Sequence, residues 1–188
     1  MIRKAIASLV VLSVVAISTQ ADAALMAYLY LKGQKSGEVR GSVTQKGREG
    51  AIAIIAMEQA SKIPMSGGMQ TGKVSVGQLV VTKEVDKSSP VLRQMLTNNE
   101  NISMGSLKFW TPQINAAAGT GMEKQHYTIN LSNARITGIR TVMHNNRDPQ
   151  LMRYEIAEEV TIAYDRADWI WMDGGIIATE VGGYGAVQ

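Results

Sequence analysis

The chain is predicted to fold as a closed or nearly closed antiparallel β-barrel with one flanking α-helix, and three observations carry that expectation. About nine short segments have strand-like composition or alternation and are separated by turn residues. A single segment, beginning near Pro90, has helical apolar spacing. The 188 residues are 45% hydrophobic and 19% charged, with no internal repeat, which suits one domain around one core.

In chain order, the first strand is Ala27 to Lys32 (AYLYLK) and the second is the loosely alternating Gly37 to Thr44 (GEVRGSVT). Gly47-Arg48-Glu49-Gly50 is a turn, because paired glycines supply the positive φ values that such turns need. Ala51 to Glu58 (AIAIIAME) is apolar enough for a fully buried strand, although the pattern alone also permits a short helix. Ser61 to Lys73, with Pro64 and three glycines, reads as an extended loop of a length more often functional than connective. Val74 to Glu84 returns as strand.

The helix follows. Ser89 suits the N-cap and Pro90 the first helical position, where a missing N–H costs nothing. Val91, Leu92, Met95 and Leu96 share one face, and Asn98 and Asn99 tolerate the left-handed turn that ends a helix. Leu107, Phe109 and Thr111 then alternate with Ser106, Lys108 and Trp110. Gln113 to Gly121 is a small-residue loop. Gln125 to Leu131 and Asn133 to Arg140 read as a hairpin pair, and Asn145 to Pro149 as a turn. Glu155 to Tyr164 and Asp168 to Met172 close the sheet. The barrel domain is placed at 26–175, and 176–188 is read as a flexible tail.

The first residues have the design of a secretory signal. Met1 to Lys4 is basic, Ala5 to Ser18 is an apolar run of signal-core length, and Ala21-Asp22-Ala23 is an A-x-A cleavage pattern. Residues 1–23 are therefore set apart from the fold, with an N-terminal anchor as the competing reading. The run is short for a membrane span, and nothing later is long and apolar enough for stable membrane insertion once a signal is removed.

Composition excludes several classes of function. Cysteine is absent, so there is no disulfide, thiolate nucleophile or Cys-ligated metal. The net charge of +3 is mild, and no basic cluster is interleaved with aromatics, which argues against a nucleic-acid partner. Gly67 to Lys73 (GGMQTGK) matches most of a phosphate-binding loop. However, Val74 stands where a hydroxyl must reach Mg²⁺, and the residues after Lys73 alternate as a strand. His126 and His144 lack neighbours at metal-ligand spacing and read as ordinary core or surface histidines. Glu155 and Glu159 share a strand face while Glu158 points away, and solvated edge charge is the better reading of all three. No nucleophile elbow is present. No catalytic, metal or cofactor residues are assigned, and the chain is read as not an enzyme. Trp169 and Trp171, on one strand face, suit packing in the core or between subunits. Met65 and Met69 suit adaptable contacts or simple packing onto the barrel.

Several stretches then resemble one family. They are Gly41-Ser42 with Gly47 to Gly50, Thr71-Gly72-Lys73, Thr82 to Pro90 (TKEVDKSSP) with Leu92 and Leu96, and Leu107-Lys108-Phe109. Further on come His126 to Ile129 with Leu131, Asn133-Ala134, Asp148-Pro149, Glu158 to Thr161 with Tyr164, and Trp169 and Trp171. In colinear order from about Met26 to Asp173, they are similar to Hcp, the tube protein of the bacterial type VI secretion system. The TKEVDKSSP run is the most specific match.

The resemblance implies a β-barrel with one helix that forms six-membered rings stacked head to tail into a hollow tube. It also implies sheath and spike proteins as partners, expulsion from the cell, and effector cargo in the lumen of some members. On this reading Lys83, Glu84, Asp86, Lys87 and Ser88 sit at the subunit interface, where their charges pair across a repeated contact and set its register. The loop residues Pro64, Met65, Met69, Gln70 and Lys73 reach from one ring to the next. A tube of this kind assembles in the cytoplasm, which fits translation from Met26. A working signal would instead deliver the chain to the periplasm, as an exported Hcp-like binding protein without a tube role.

Overall fold

The computed structural model describes residues 25–113 and 122–182. Its strands are β1 (Met26–Gly33), β2 (Gly37–Val39), β3 (Ile52–Ile54), β4 (Ala56–Glu58), β5 (Ser61–Lys62), β6 (Met65–Ser66), β7 (Met69–Gln70), β8 (Ser75–Val76) and β9 (Leu79–Glu84). After helix α1 (Ser89–Thr97) come β10 (Asn101–Gln113), β11 (Met122–Val142), β12 (Ala157–Trp171) and β13 (Ile176–Val181). The proposed signal at 1–23, most of the small-residue loop and the end of the proposed tail lie outside the described residues.

A nine-stranded sheet runs in the order β2-β1-β10-β11-β12-β9-β4, with β13 also paired to β12 and β3 to β1. Every pairing is antiparallel. The segment read as one buried strand over residues 51–58 is divided at Ile55. Its first part, β3, pairs with β1, and its second part, β4, pairs with β9. Ile55 N–H donates to Thr82 O at 2.8 Å, so the chain passes from one edge of the sheet to the other within a single residue. This crossing makes the barrel nearly closed and leaves few unpaired edges. Gly41 is needed at the same place, since a Cβ there would lie 2.3 Å from Ala51 O.

Alternation fills the interior. Leu29 and Leu31, Leu79 and Val81, Leu107, Ile129, and Val160 and Ile162 all point inward and are buried in one cluster. Leu92 and Met95 of α1 belong to that cluster, so the helix flanks the barrel with its apolar face packed into the core beside β11. Ser88, not Ser89, is the N-cap of α1, and it makes no side-chain cap bond. Ser89 is the first helical residue, and its hydroxyl donates to Glu158 instead of capping the helix. The exit matches expectation. Asn99 has φ 48°, Asn99 N–H donates to Leu96 O and Glu100 N–H donates to Met95 O, the paired bonds of a left-handed C-terminal cap.

Three other expectations need correction. Residues 125–131 and 133–140 are not a hairpin but one continuous strand, β11. Asn133 does take the turn-like φ of 48°. It causes only a local irregularity, because β10 and β12 pair with β11 on both sides of it. Likewise, 155–164 and 168–172 are parts of one strand, β12. The start of the supposed tail is strand as well. Ile176–Val181 pairs with β12 through a turn at Gly174 and Gly175, both with positive φ.

Candidate assembly surfaces

The polar run after β9 is built around a buried ion pair. Lys83 shares its inward face with Leu79 and Val81, and Glu158 shares its own with Val160, Ile162 and Tyr164. The register sets Lys83 directly opposite Glu158. Each is 1% exposed, with Lys83 Nζ 2.8 Å from Glu158 Oε1. The ammonium also donates to Glu84 O (2.7 Å) and Ser89 Oγ (3.0 Å) and lies 2.9 Å from Asp86 Oδ1. The Ser89 hydroxyl donates to Glu158 Oε1 at 2.6 Å and accepts from Asp86 N–H. The cluster thus ties β9, β12 and the start of α1 together.

Partial burial alone would push the Asp86 carboxyl up, but hydrogen bonds from Ser88 and the Lys83 ammonium outweigh it and hold the group below its usual range. Asp86 Oδ2 further accepts from Ser42 N–H at 3.0 Å. Of the proposed interface residues, then, Lys83 and Ser88 are buried inside the subunit and shape this turn. Asp86 is half-buried, and Glu84 and Lys87 are exposed. Glu158, read from sequence as solvated, is the partner that the reading missed. The signal was its place in the inward alternation with Val160 and Ile162.

The long loop is a hairpin arm. The β4–β9 ladder (Ala56↔Thr82) continues through Gly77 N–H to Ala60 O, then β5–β8 (Ser61↔Val76) and β6–β7 (Ser66↔Met69). Gly67 and Gly68 turn the tip with φ 58° and 81°, the paired positive values of a tight hairpin turn. Every residue from 58 to 74 except the alternately placed Gln59 is exposed, Met65 and Met69 among them at 61% and 73%. The cross-strand pairs put Met65 with Gln70 on one face and Met69 with Ser66 on the other. Pro64, whose carbonyl accepts from Thr71 N–H, sits where the ladder is interrupted, and Lys73 is exposed on the return. The base of the arm is fastened to β13: Glu180 accepts from Ser61 Oγ and from Gln59 Nε2, and lies 3.5 Å from the Tyr164 hydroxyl. Burial, then the Glu180 carboxylate, pushes the Tyr164 hydroxyl up to about 12.

The outer face of β1, β10, β11 and β12 forms an open trough of about 630 Å³. Tyr30, Lys108, Thr128, Asn130, Met104 and Met172 line it. Lys108 lies 4.8 Å from the Tyr30 ring, and Ser106 Oγ donates to Asn130. The remaining sequence candidates are dispersed. His126 stacks edge-on against Trp171, and His144 contacts Tyr154 on the surface. Trp169 packs on the barrel core, and Glu159 pairs with Arg140 at the surface. Arg48 is a second buried cation, 3.8 Å above Trp110 and paired with Glu123, and it clamps the 40s loop to the barrel. Among the described residues no group of three His, Asp or Glu side chains is arranged to hold a metal, and no helix is long and apolar enough to cross a membrane.

Comparison with known proteins gives one family. Residues 28–171 match the family model described as "Type VI secretion system effector, Hcp". The "Major exported protein" of Pseudomonas aeruginosa is 29% identical over 154 residues, spanning 76% of this chain and 87% of that protein. The structure of Hcp1 from E. coli EAEC 042 superposes with a TM-score of 0.73 at 28% identity, covering 84% of this chain and 99% of that one. Secreted protein Hcp3 of Pseudomonas aeruginosa shares the fold, with a TM-score of 0.66 at 20% identity over 85% and 99% of the two chains. A nearly closed barrel flanked by one helix, matched along almost its whole described length, places this chain in the Hcp family of the type VI secretion system.

Proposed function

We propose that this chain is the structural subunit of a type VI secretion tube, forming rings that stack head to tail and are expelled from the cell. The observation that carries the reading is the hairpin arm, an ordered ladder that leaves the barrel with its apolar side chains in solvent. A monomer gains nothing from exposing Met65, Met69 and Ile63 on such a projection, whereas a second copy would bury them. In this reading Glu84 and Lys87 are the parts of the polar run that meet another copy, and Lys83, Asp86 and Ser88 hold the turn in shape. The trough suits a lumen wall that carries cargo, and the sheath and spike of the apparatus are the outer partners. No step of this function asks for catalysis.

The protein beginning at Met26 is expected to run as a closed oligomer by light scattering, because a heterologous contact closes into a ring when its rotation allows. A clean monomer at tens of micromolar would count heavily against the tube. A second reading is favoured by residues 1–23, whose basic start, apolar run and Ala21-Asp22-Ala23 site make a complete signal. It describes an exported Hcp-like protein acting in the periplasm or beyond. Intact mass of the protein from its own host separates the two. Cytoplasmic assembly expects a first residue of Met26 or Ala27. A first residue of Ala24, with normal release when the secretion apparatus is disabled, selects the exported form.

A further inference from the structure

Tyr28 is buried without belonging to the core. It alternates along β1 with the inward Leu29 and Leu31, so it lies on the outward face, yet it is only 5% exposed. The loop between β2 and β3 covers it. Val39 pairs with Leu31 and Ile52 with Leu29, which fixes both ends of that loop side by side on β1. The loop also holds its own shape. Gly41 N–H donates to Gly50 O (2.8 Å), Gly50 N–H to Val43 O (2.8 Å) and Arg48 N–H to Gln45 O (2.9 Å). This is the construction of an Ω-loop, a compact lid packed by its own residues. Among the described residues, the hydrogen bonds that tie the lid to the barrel come from the Gln45 and Arg48 side chains and from Ser42 N–H, which donates to Asp86 Oδ2 at 3.0 Å.

Arg48 is the buried end of the lid. Its guanidinium carbon lies 3.8 Å from the centre of the Trp110 ring and 5.0 Å from that of Tyr28. Nη2 is 2.5 Å from Glu123 Oε2, and Nη1 donates to the Tyr28 hydroxyl at 3.3 Å. Two aromatic rings and a carboxylate suit a planar cation, because the ring faces attract it and the carboxylate pairs with its N–H groups. The three residues come from β1, β10 and β11, whose own ladders hold them: Met26 lies opposite Trp110, and Pro112 opposite Glu123. Arg48 does not satisfy the whole cage. The Trp110 Nε1–H is buried with no acceptor, so one polar group of the site is left unmet.

We propose that Tyr28, Trp110 and Glu123 form a guanidinium-binding site that Arg48 fills as a built-in ligand, and that an arginine side chain of a second protein displaces Arg48 and lifts the lid. A peptide carbonyl beside the incoming arginine supplies the acceptor that the Trp110 Nε1–H lacks. Displacement breaks no barrel ladder, because β2 and β3 keep their pairing with β1. It does free Ser42 from Asp86, so occupancy of the site is felt at the turn before α1. While Arg48 competes, the apparent affinity for an outside arginine is reduced by the fraction of molecules in which the site is filled. The site is complete within one subunit, and its occupancy does not depend on assembly.

The probe is acetyl-arginine amide, with acetyl-lysine amide as its control. Arg48→Ala, which empties the site, is expected to bind the arginine probe at least about tenfold more tightly than the wild type by calorimetry, since the internal competitor is gone. The lysine control is expected to bind neither protein, because an ammonium lacks the planar face and the N–H fork. Arg48→Ala combined with Trp110→Leu is expected to lose binding while circular dichroism still reports a folded barrel. The wild type gives an independent readout. Saturating arginine probe is expected to speed amide exchange at Ser42 at least about threefold, with the core amide of Ile129 unchanged. Equal binding of the two probes, binding that survives Trp110→Leu, or an Arg48→Ala protein that binds no more tightly than the wild type would overturn the site. Should either variant not fold, the wild-type exchange decides: a Ser42 amide indifferent to the arginine probe, or equally responsive to the lysine control, overturns the proposal.

Discussion

Lys83→Met is expected to destabilise the protein by about 3–5 kcal/mol, read as a fall in the denaturant midpoint at fixed protein concentration. The reason lies in the geometry rather than in the count of charges. Removing the ammonium leaves Glu158, 1% exposed, with only the Ser89 hydroxyl, and leaves Asp86 without its cation. An uncompensated buried charge costs more than the pair contributes. The converse change is expected to be milder. In Glu158→Gln the ammonium keeps Asp86, the Glu84 carbonyl and Ser89, so most of its solvation survives. Lys83→Met combined with Glu158→Leu is expected to recover most of the loss, because it removes both desolvated charges at once. Equal losses for Lys83→Met and Glu158→Gln, or no recovery in the double variant, would refute this account of the turn.

The second large effect is on assembly. Replacing residues 65–70 with a short Gly-Ser link is expected to leave ring size and thermal midpoint unchanged and to abolish tubes and export together. The β4–β9 and β5–β8 ladders lie below the cut, and nothing comes within 4 Å of the positions where a Cβ would stand at the Gly67 and Gly68 tip. The barrel therefore loses no packing when the tip is shortened. Ring size by light scattering, tubes by negative-stain microscopy and the protein in culture fluid are the three measurements. Tubes that persist would show that stacking is carried elsewhere on the subunit.

The two predictions concern the ends of one hairpin, and they separate stability from assembly. The Lys83 cluster is internal and its loss is felt in folding. The arm is external and its loss is felt only between copies. A variant that alters both readouts at once would point to the arm base, where Glu180 holds Ser61 and Gln59 against β13.

Local signals in the sequence determined a mainly β chain with one helix and the helix exit at Asn99. They act within a few residues: alternation for β1 and β10, apolar spacing in α1, and an Asn that tolerates positive φ. The family was legible too, because the TKEVDKSSP run is specific. What the sequence left undecided depends on strands that are distant along the chain. Asn133 looks like the turn of a hairpin until β10 and β12 pair on either side and hold β11 straight through it. Residues 51–58 look like one strand until β1 and β9 claim its two halves. The Ser61–Lys73 stretch looks irregular because its Pro and Gly residues mask a ladder that only cross-strand register defines. Lys83 and Glu158 look like surface charges because they are 75 residues apart. Only tertiary pairing set them opposite each other on inward faces, where low polarity makes each require the other.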